Sequence, residues 1–217
     1  MGVAQRKPMR RRCKHRRRAG RVDFVASAPT IRAVPSSPVM PAAARQLIER
    51  FRMERIPQEG AWFAPTHRSG ETVMIAGADR HAGPRAVWSA IYGVQTRTDF
   101  SGLHRLATDE LWHIYDGAPL ELLLLHPDGR GELVVLGRDV ARGEQPQFLV
   151  PRGVWQGSRP TGGDHAWTFL GHTLAPGFDY ADFEIGYRDE LQARYPAFAE
   201  KIAELTRSDH LHRPADS

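Results

Sequence analysis

The feature that most constrains this chain is a succession of short apolar runs between Thr72 and about Glu184, punctuated by Gly, Pro and Asp. The runs Thr72–Ala76, Ala86–Val94, Gly102–Ala107, Glu110–Tyr115, Leu120–His126, Gly131–Leu136, Gln147–Val150 and Ala166–Leu174 read as strands. Turn-forming residues separate them, as in Pro127-Asp128-Gly129-Arg130-Gly131, where Asp and Gly supply the conformations that a reversal needs. Many short strands at near-regular spacing pair into antiparallel sheets, which points to a sandwich or a barrel. No internal repeat is visible.

Helical periodicity appears only at the two ends. Ala44, Ile48 and Phe51 fall on one face of a short amphipathic helix, which Pro57 is expected to end. Pro196 suits a first helical turn, and Phe198, Ile202 and Leu205 form an apolar stripe after it. The sequence therefore predicts one mainly all-β domain over residues 41–207, with a short N-terminal helix, C-terminal helices and a flexible tail at 208–217.

Charge divides the chain differently. Residues 1–40 hold eleven Lys and Arg against a single acid, Asp23, whereas the rest holds 19 bases and 24 acids. The basic character thus belongs to the first 40 residues, which show no apolar period and are read as a disordered basic tail. A misplaced start ahead of Met40, a targeting segment and an anion-binding arm all fit it. Nucleic acid is expected to bind through this tail if at all, because the body is mildly acidic. No apolar run is long enough to cross a bilayer and no secretory signal is present, so a cytoplasmic protein is expected. The single cysteine, Cys13, excludes an internal disulfide and a cysteine-built zinc site.

Two segments carry polar residues at spacings that suggest a site. One runs from His104 to Gly117 and includes Glu110 and Trp112; the other is Pro151-Arg152-Gly153-Val154-Trp155-Gln156. Strand side chains alternate, so His104 and Leu106 share a face, and Glu110 on the next strand can oppose them. His104 and Glu110 form a candidate acid–base pair. A buried hydrogen-bonded pair without function explains the same residues. Trp112, Gln147 and Gln156 are candidate ligand contacts, against the plain alternative of barrel core and a structural amide network. Glu59 and Arg68 are placed on a flap over the pocket mouth, where a surface salt bridge is the simpler account of Arg68. His172 alternates with Leu170 and Leu174 on one face of its strand.

These segments resemble the two cupin motifs. His104, Glu110 and Gly117 keep the spacing of the first, with Leu106 in place of its second His. Pro151 and Gly153 keep the second, with Gln156 in place of its His. The chain further resembles the RmlC-like cupin subfamily catalogued as a domain of unknown function. Ile56-Pro57-Gln58-Glu59-Gly60-Ala61-Trp62-Phe63, Trp88-Ser89-Ala90-Ile91-Tyr92 and Ala175-Pro176-Gly177-Phe178-Asp179-Tyr180-Ala181-Asp182-Phe183-Glu184 follow its order. His172 departs from it, standing where that subfamily usually has Cys, and so does Thr66-His67-Arg68-Ser69. The resemblance covers about Leu47 to Leu205 and implies a double-stranded β-helix, a jelly-roll barrel with one pocket, usually as a homodimer. In metal-binding cupins three imidazoles and one carboxylate gather round a divalent transition metal. Leu106 cannot ligate and Gln156 is a neutral donor, so no metal is assigned; a bound one would be expected on His104, Glu110, Gln156 and His172. The function expected is binding of a small molecule, with isomerase- or epimerase-like proton transfer on a sugar or nucleotide-sugar. A metal-dependent oxygenase or hydrolase and a non-catalytic ligand-binding module are the alternatives.

Overall fold

A computed structural model describes residues 40–75, 81 and 83–214. Apart from Met40, the basic tail read over residues 1–40 lies outside the described residues. Among the described residues thirteen strands follow one helix, α1 (Ala42–Phe51), and two further helices come after them, α2 (Arg188–Arg194) and α3 (Ala199–Glu204). The strands are β1 (Glu54–Arg55), β2 (Trp62–Arg68), β3 (Thr72–Val73), β4 (Arg85–Ala86), β5 (Ser89–Thr96), β6 (Ser101–Leu106) and β7 (Glu110–Gly117). They continue as β8 (Leu120–Leu125), β9 (Gly131–Leu136), β10 (Gln147–Val150), β11 (Trp155–Pro160), β12 (Trp167–Leu174) and β13 (Phe183–Ile185).

Two antiparallel sheets face each other. One has six strands in the order β1-β2-β5-β12-β7-β10, the other five in the order β13-β6-β11-β8-β9. A short β3–β4 ladder stands apart. The jumps in order, with β12 between β5 and β7 and β11 between β6 and β8, make the barrel a jelly roll rather than a meander.

The interior between the sheets is divided. Trp112, Ile114, Leu122, Leu124, Val150 and Leu170 pack into a dry core, and a cavity occupies separate space. Leu123 and Leu125 alternate out of that core and join Trp155, Leu191, Tyr195, Ile202 and Leu205 in a second one under the C-terminal helices. β8 is therefore buried on both faces from Leu122 to Leu125, which is why those four residues read as an unbroken apolar run after Glu121. On the six-stranded sheet, α1 packs Ala44, Leu47, Ile48 and Phe51 against Val94, Trp167 and Phe169.

Several boundaries differ from the sequence reading for identifiable reasons. Helix α1 ends at Arg52, which adopts φ 51 and caps the helix in left-handed conformation, five residues before Pro57. The run Ala86–Val94 is two strands, β4 and β5, broken at Val87 and Trp88. Strands β2 and β11 escaped notice. Pro65 interrupts β2 but sits at a register shift, where a missing N–H is tolerated. β11 (Trp-Gln-Gly-Ser-Arg-Pro) looks like a loop because it is buried on both faces and lacks alternation. Residues read as a flexible tail are in part anchored: Arg213 pairs with Glu190 at 2.8 Å, and His212 Nδ1 lies 2.9 Å from Asp189. Among the described residues no helix is long and apolar enough to cross a membrane.

Candidate active site

At the end of the barrel away from the dry core lies a cavity of about 70 Å³ that opens to the surface. Its polar lining residues are Glu59, Ser89, His104, Glu110, His172 and Tyr180. Each polar group arrives from a different element. β6 carries His104, β7 carries Glu110 and β12 carries His172, and the segment between β1 and β2 carries Glu59. His104 and Glu110 thus face each other from opposite sheets, as strand alternation required.

Glu110 is the hub. It is buried, and both its oxygens have neighbours. Gln156 Nε2 donates to Oε2 at 2.6 Å, and His172 Nδ1 lies 3.1 Å from Oε1. The second approach is not an aligned hydrogen bond, because His172 Nδ1 is buried without a partner in bonding geometry. Burial pushes the Glu110 carboxyl up, but His172, His104 and the Gln156 amide together outweigh it, so the group is held below the usual carboxylate range. Gln156 is oriented in turn by Trp112, whose Nε1 donates to its Oε1 at 3.0 Å. Trp112 also meets the His172 ring edge-on at 4.2 Å.

His104 is fixed from behind. Its Nδ1 lies 2.8 Å from the Gly102 carbonyl oxygen. A carbonyl only accepts, so Nδ1 carries the proton, and in the neutral ring Nε2 is left with a lone pair. Phe183 stacks on the ring at 5.4 Å. The wall beside it is aromatic: Phe178 meets Tyr180 edge-on at 5.0 Å.

The sequence candidates fall into three groups. His104, Glu110, His172 and Glu59 line the cavity. Gln156 and Trp112 stand behind it, aligning Glu110. Gln147 and Arg68 are not in it. Gln147 is on the outer face of the six-stranded sheet, where its Nε2 lies 3.2 Å from His113 Nδ1. Arg68 donates to the Phe178 carbonyl at 2.8 Å, while the Phe178 N–H donates to Ser89 Oγ at 2.9 Å. Arg68 therefore fastens the cavity wall from outside. Tyr92 and Trp155 also leave the cavity, Tyr92 to the cluster with Phe51 and Phe169, and Trp155 to the core under the C-terminal helices. Sequence reasoning missed the apolar liners Ile56, Phe63, Phe178 and Phe183. Ile56 and Phe178 lie in loops, Phe183 on a three-residue strand and Phe63 on β2, which Pro65 interrupts, so periodicity gives no signal.

The metal set of the cupin motif does not fit these residues. Leu106 occupies one ligand position as a cavity-lining aliphatic side chain, and both Glu110 oxygens are engaged. Among the described residues no group of three or more His, Cys, Asp or Glu is placed to hold an ion.

Comparison with known proteins agrees with this fold. The cupin superfamily (DUF985) model matches residues 45–186. The chain belongs to this cupin family. It is similar to a protein from Leishmania major and to protein SO0799 from Shewanella oneidensis. Each is 31% identical with a TM-score of 0.67; 76% of this chain is covered, with 99% and 97% of theirs. A Saccharomyces cerevisiae protein, YML079W, is 26% identical over 77% of this chain and 87% of its own length.

Proposed function

We propose that this cupin binds a small carbohydrate-type molecule in its barrel and catalyses isomerase- or epimerase-like proton transfer on it. One observation carries the reading: His104 has its proton tied to the Gly102 carbonyl, which leaves Nε2 as the basic nitrogen in a cavity that also holds two carboxylates. A base so oriented needs no reorganisation to accept a proton. In the step envisaged, a C–H bond beside a substrate carbonyl breaks and its proton passes to His104 Nε2. The electron pair moves onto the carbonyl oxygen as an enolate, and the imidazolium returns the proton to carbon or to the neighbouring position. His172, which lines the cavity and lacks an aligned partner for Nδ1, is placed to donate to the enolate oxygen. Gln156 and Trp112 keep Glu110 in register with it.

The test is solvent exchange. A panel of aldoses and ketoses is incubated with the full chain in D2O, and deuterium at carbon is read by NMR. Incorporation by the wild type that is lost in both His104→Ala and Glu110→Gln supports the reading. Exchange that persists in both variants means the site is assigned to the wrong residues.

A further inference from the structure

The cavity's lining combines two carboxylates with two histidines and holds no permanent cation. Glu59 and Glu110 both line it, and no Lys or Arg is among its lining residues. The nearby arginines are engaged elsewhere. Arg68 holds the Phe178 carbonyl from outside. Arg105 pairs with Glu184 and lies over the Trp155 ring at 4.5 Å. Arg207 donates to the carbonyls of Glu59 and Phe100.

The two carboxylates differ in how they are satisfied. Both oxygens of Glu110 have neighbours, whereas the Glu59 carboxylate accepts no hydrogen bond among the described residues. Its side chain is only 10% exposed, and the closest charge-bearing group is His104 Nδ1 at 4.0 Å, whose proton goes to Gly102. A carboxylate that lines a cavity with no protein donor of its own is an open acceptor for a ligand's hydrogens. The backbone around it is built to hold that pose. Gln58 adopts φ 66, a left-handed conformation unusual for a side-chain-bearing residue, and Gly60 adopts φ 95. The Glu59 carbonyl accepts from Gly102 N–H at 3.2 Å and from Arg207 Nε at 2.7 Å. Gly60 has no room for a side chain, because a Cβ there would collide with the Arg207 guanidinium.

We infer that Glu59 is the ligand-recognition group of this cavity, and that it selects unphosphorylated, neutral or cationic molecules whose hydroxyl or amino hydrogens it accepts. The inference rests on the small-molecule reading above and narrows its substrate class. A phosphate or carboxylate on the ligand would enter a confined space beside two acidic side chains with no Lys or Arg among the lining residues to offset it. A sugar or nucleoside ring meets opposite conditions. Its hydroxyls donate to Glu59, and its apolar face lies against Phe178, Tyr180 and Phe183. A nucleotide-sugar is disfavoured, since its diphosphate has no permanent counter-charge among the lining residues.

Matched pairs test this directly: glucose and glucose 6-phosphate, rhamnose and rhamnose 1-phosphate, adenosine and adenosine 5′-monophosphate, ethanolamine and phosphoethanolamine. Each is titrated into the full chain at millimolar concentration, with thermal shift and calorimetry as readouts. The expected result is that binding is confined to unphosphorylated members, and that Glu59→Gln weakens it by about 10- to 100-fold. Should Glu59→Gln fold poorly by its unliganded Tm, Glu59→Asp, which keeps the charge and shortens its reach, reads the same contact. A phosphorylated member binding more tightly than its partner overturns the inference, as does Glu59→Gln binding like wild type. If that phosphate binding is abolished by His104→Ala, the cavity reading stands and only the ligand class is wrong. Failure of every member of every pair to bind overturns both.

Discussion

The Gln156 amide offers a quantitative probe of how the site is held, because it joins two buried groups at once. It donates to Glu110 Oε2 at 2.6 Å and accepts from Trp112 Nε1 at 3.0 Å, and its exposure is 1%. Gln156→Leu keeps the volume and removes both bonds. Loss of a hydrogen bond to a charged carboxylate costs about 1.5–3 kcal/mol, and leaving the Trp112 N–H buried and unpaired costs about 1–3 kcal/mol more. The added apolar surface of Leu offsets roughly 1 kcal/mol. The net expected loss is about 1.5–5 kcal/mol, which for a domain of this size lowers Tm by roughly 3–20 °C. Urea unfolding at neutral pH, with coincident fluorescence and circular dichroism, measures it. Trp112→Phe removes the stranded donor, so combining the two substitutions should cost less than their sum by about 1 kcal/mol. A Gln156→Leu variant within about 0.5 kcal/mol of wild type refutes the reasoning, because it would mean that Glu110 and Trp112 do not depend on this amide.

Further outcomes follow from other contacts. Glu110 is held below the usual carboxylate range, so it contributes stability above its unfolded-state pKa that is lost as pH falls through the lower folded value. Acid titration of stability should therefore be shallower in Glu110→Gln than in wild type, and parallel curves would contradict the assigned ionisation. Arg85 donates to both oxygens of Asp182 at 2.8 Å in a buried ion pair. Arg85→Met should cost about 3–5 kcal/mol in urea unfolding, with part recovered by adding Asp182→Leu; a single variant of wild-type stability would show the pair to be dispensable. Gly117 adopts φ 95, and a Cβ there would run into the Trp167 carbonyl. Gly117→Ala should therefore lose about 1–3 kcal/mol by thermal denaturation, and no loss would mean that the turn relaxes freely.

The strand succession was legible because turn residues divide it: β9 and β10 have the bounds read from sequence, and β6, β7 and β8 differ by one or two residues. The facing of His104 and Glu110 was legible too, since alternation along a strand is a property of the backbone. The local chemistry was not. Nothing in the spacing of Glu110 and His172 says that they approach to 3.1 Å, because that distance is set by the pairing of β7 with β12, which places His172 opposite Trp112. Arg68 and Gln147 looked like ligand contacts by residue type. Their positions relative to the wall depend on a register shift in β2 and on the outward face of β10, neither of which composition records. The aromatic wall of Phe178 and Tyr180 sits in a loop segment, where contacts come from tertiary tethers such as Ser89 to Phe178.

The proton-transfer reading turns on one hydrogen, the proton on His104. Two-dimensional 15N–1H correlation on histidine-labelled protein at pH 8 locates it, with His104→Gln identifying the resonance. The prediction is a neutral ring protonated at Nδ1, with Nε2 showing the shift of an unprotonated nitrogen that moves when a bound sugar is added. A His104 ring protonated at Nε2 would contradict the proposal, because the base would then point its lone pair at the Gly102 carbonyl and away from the cavity.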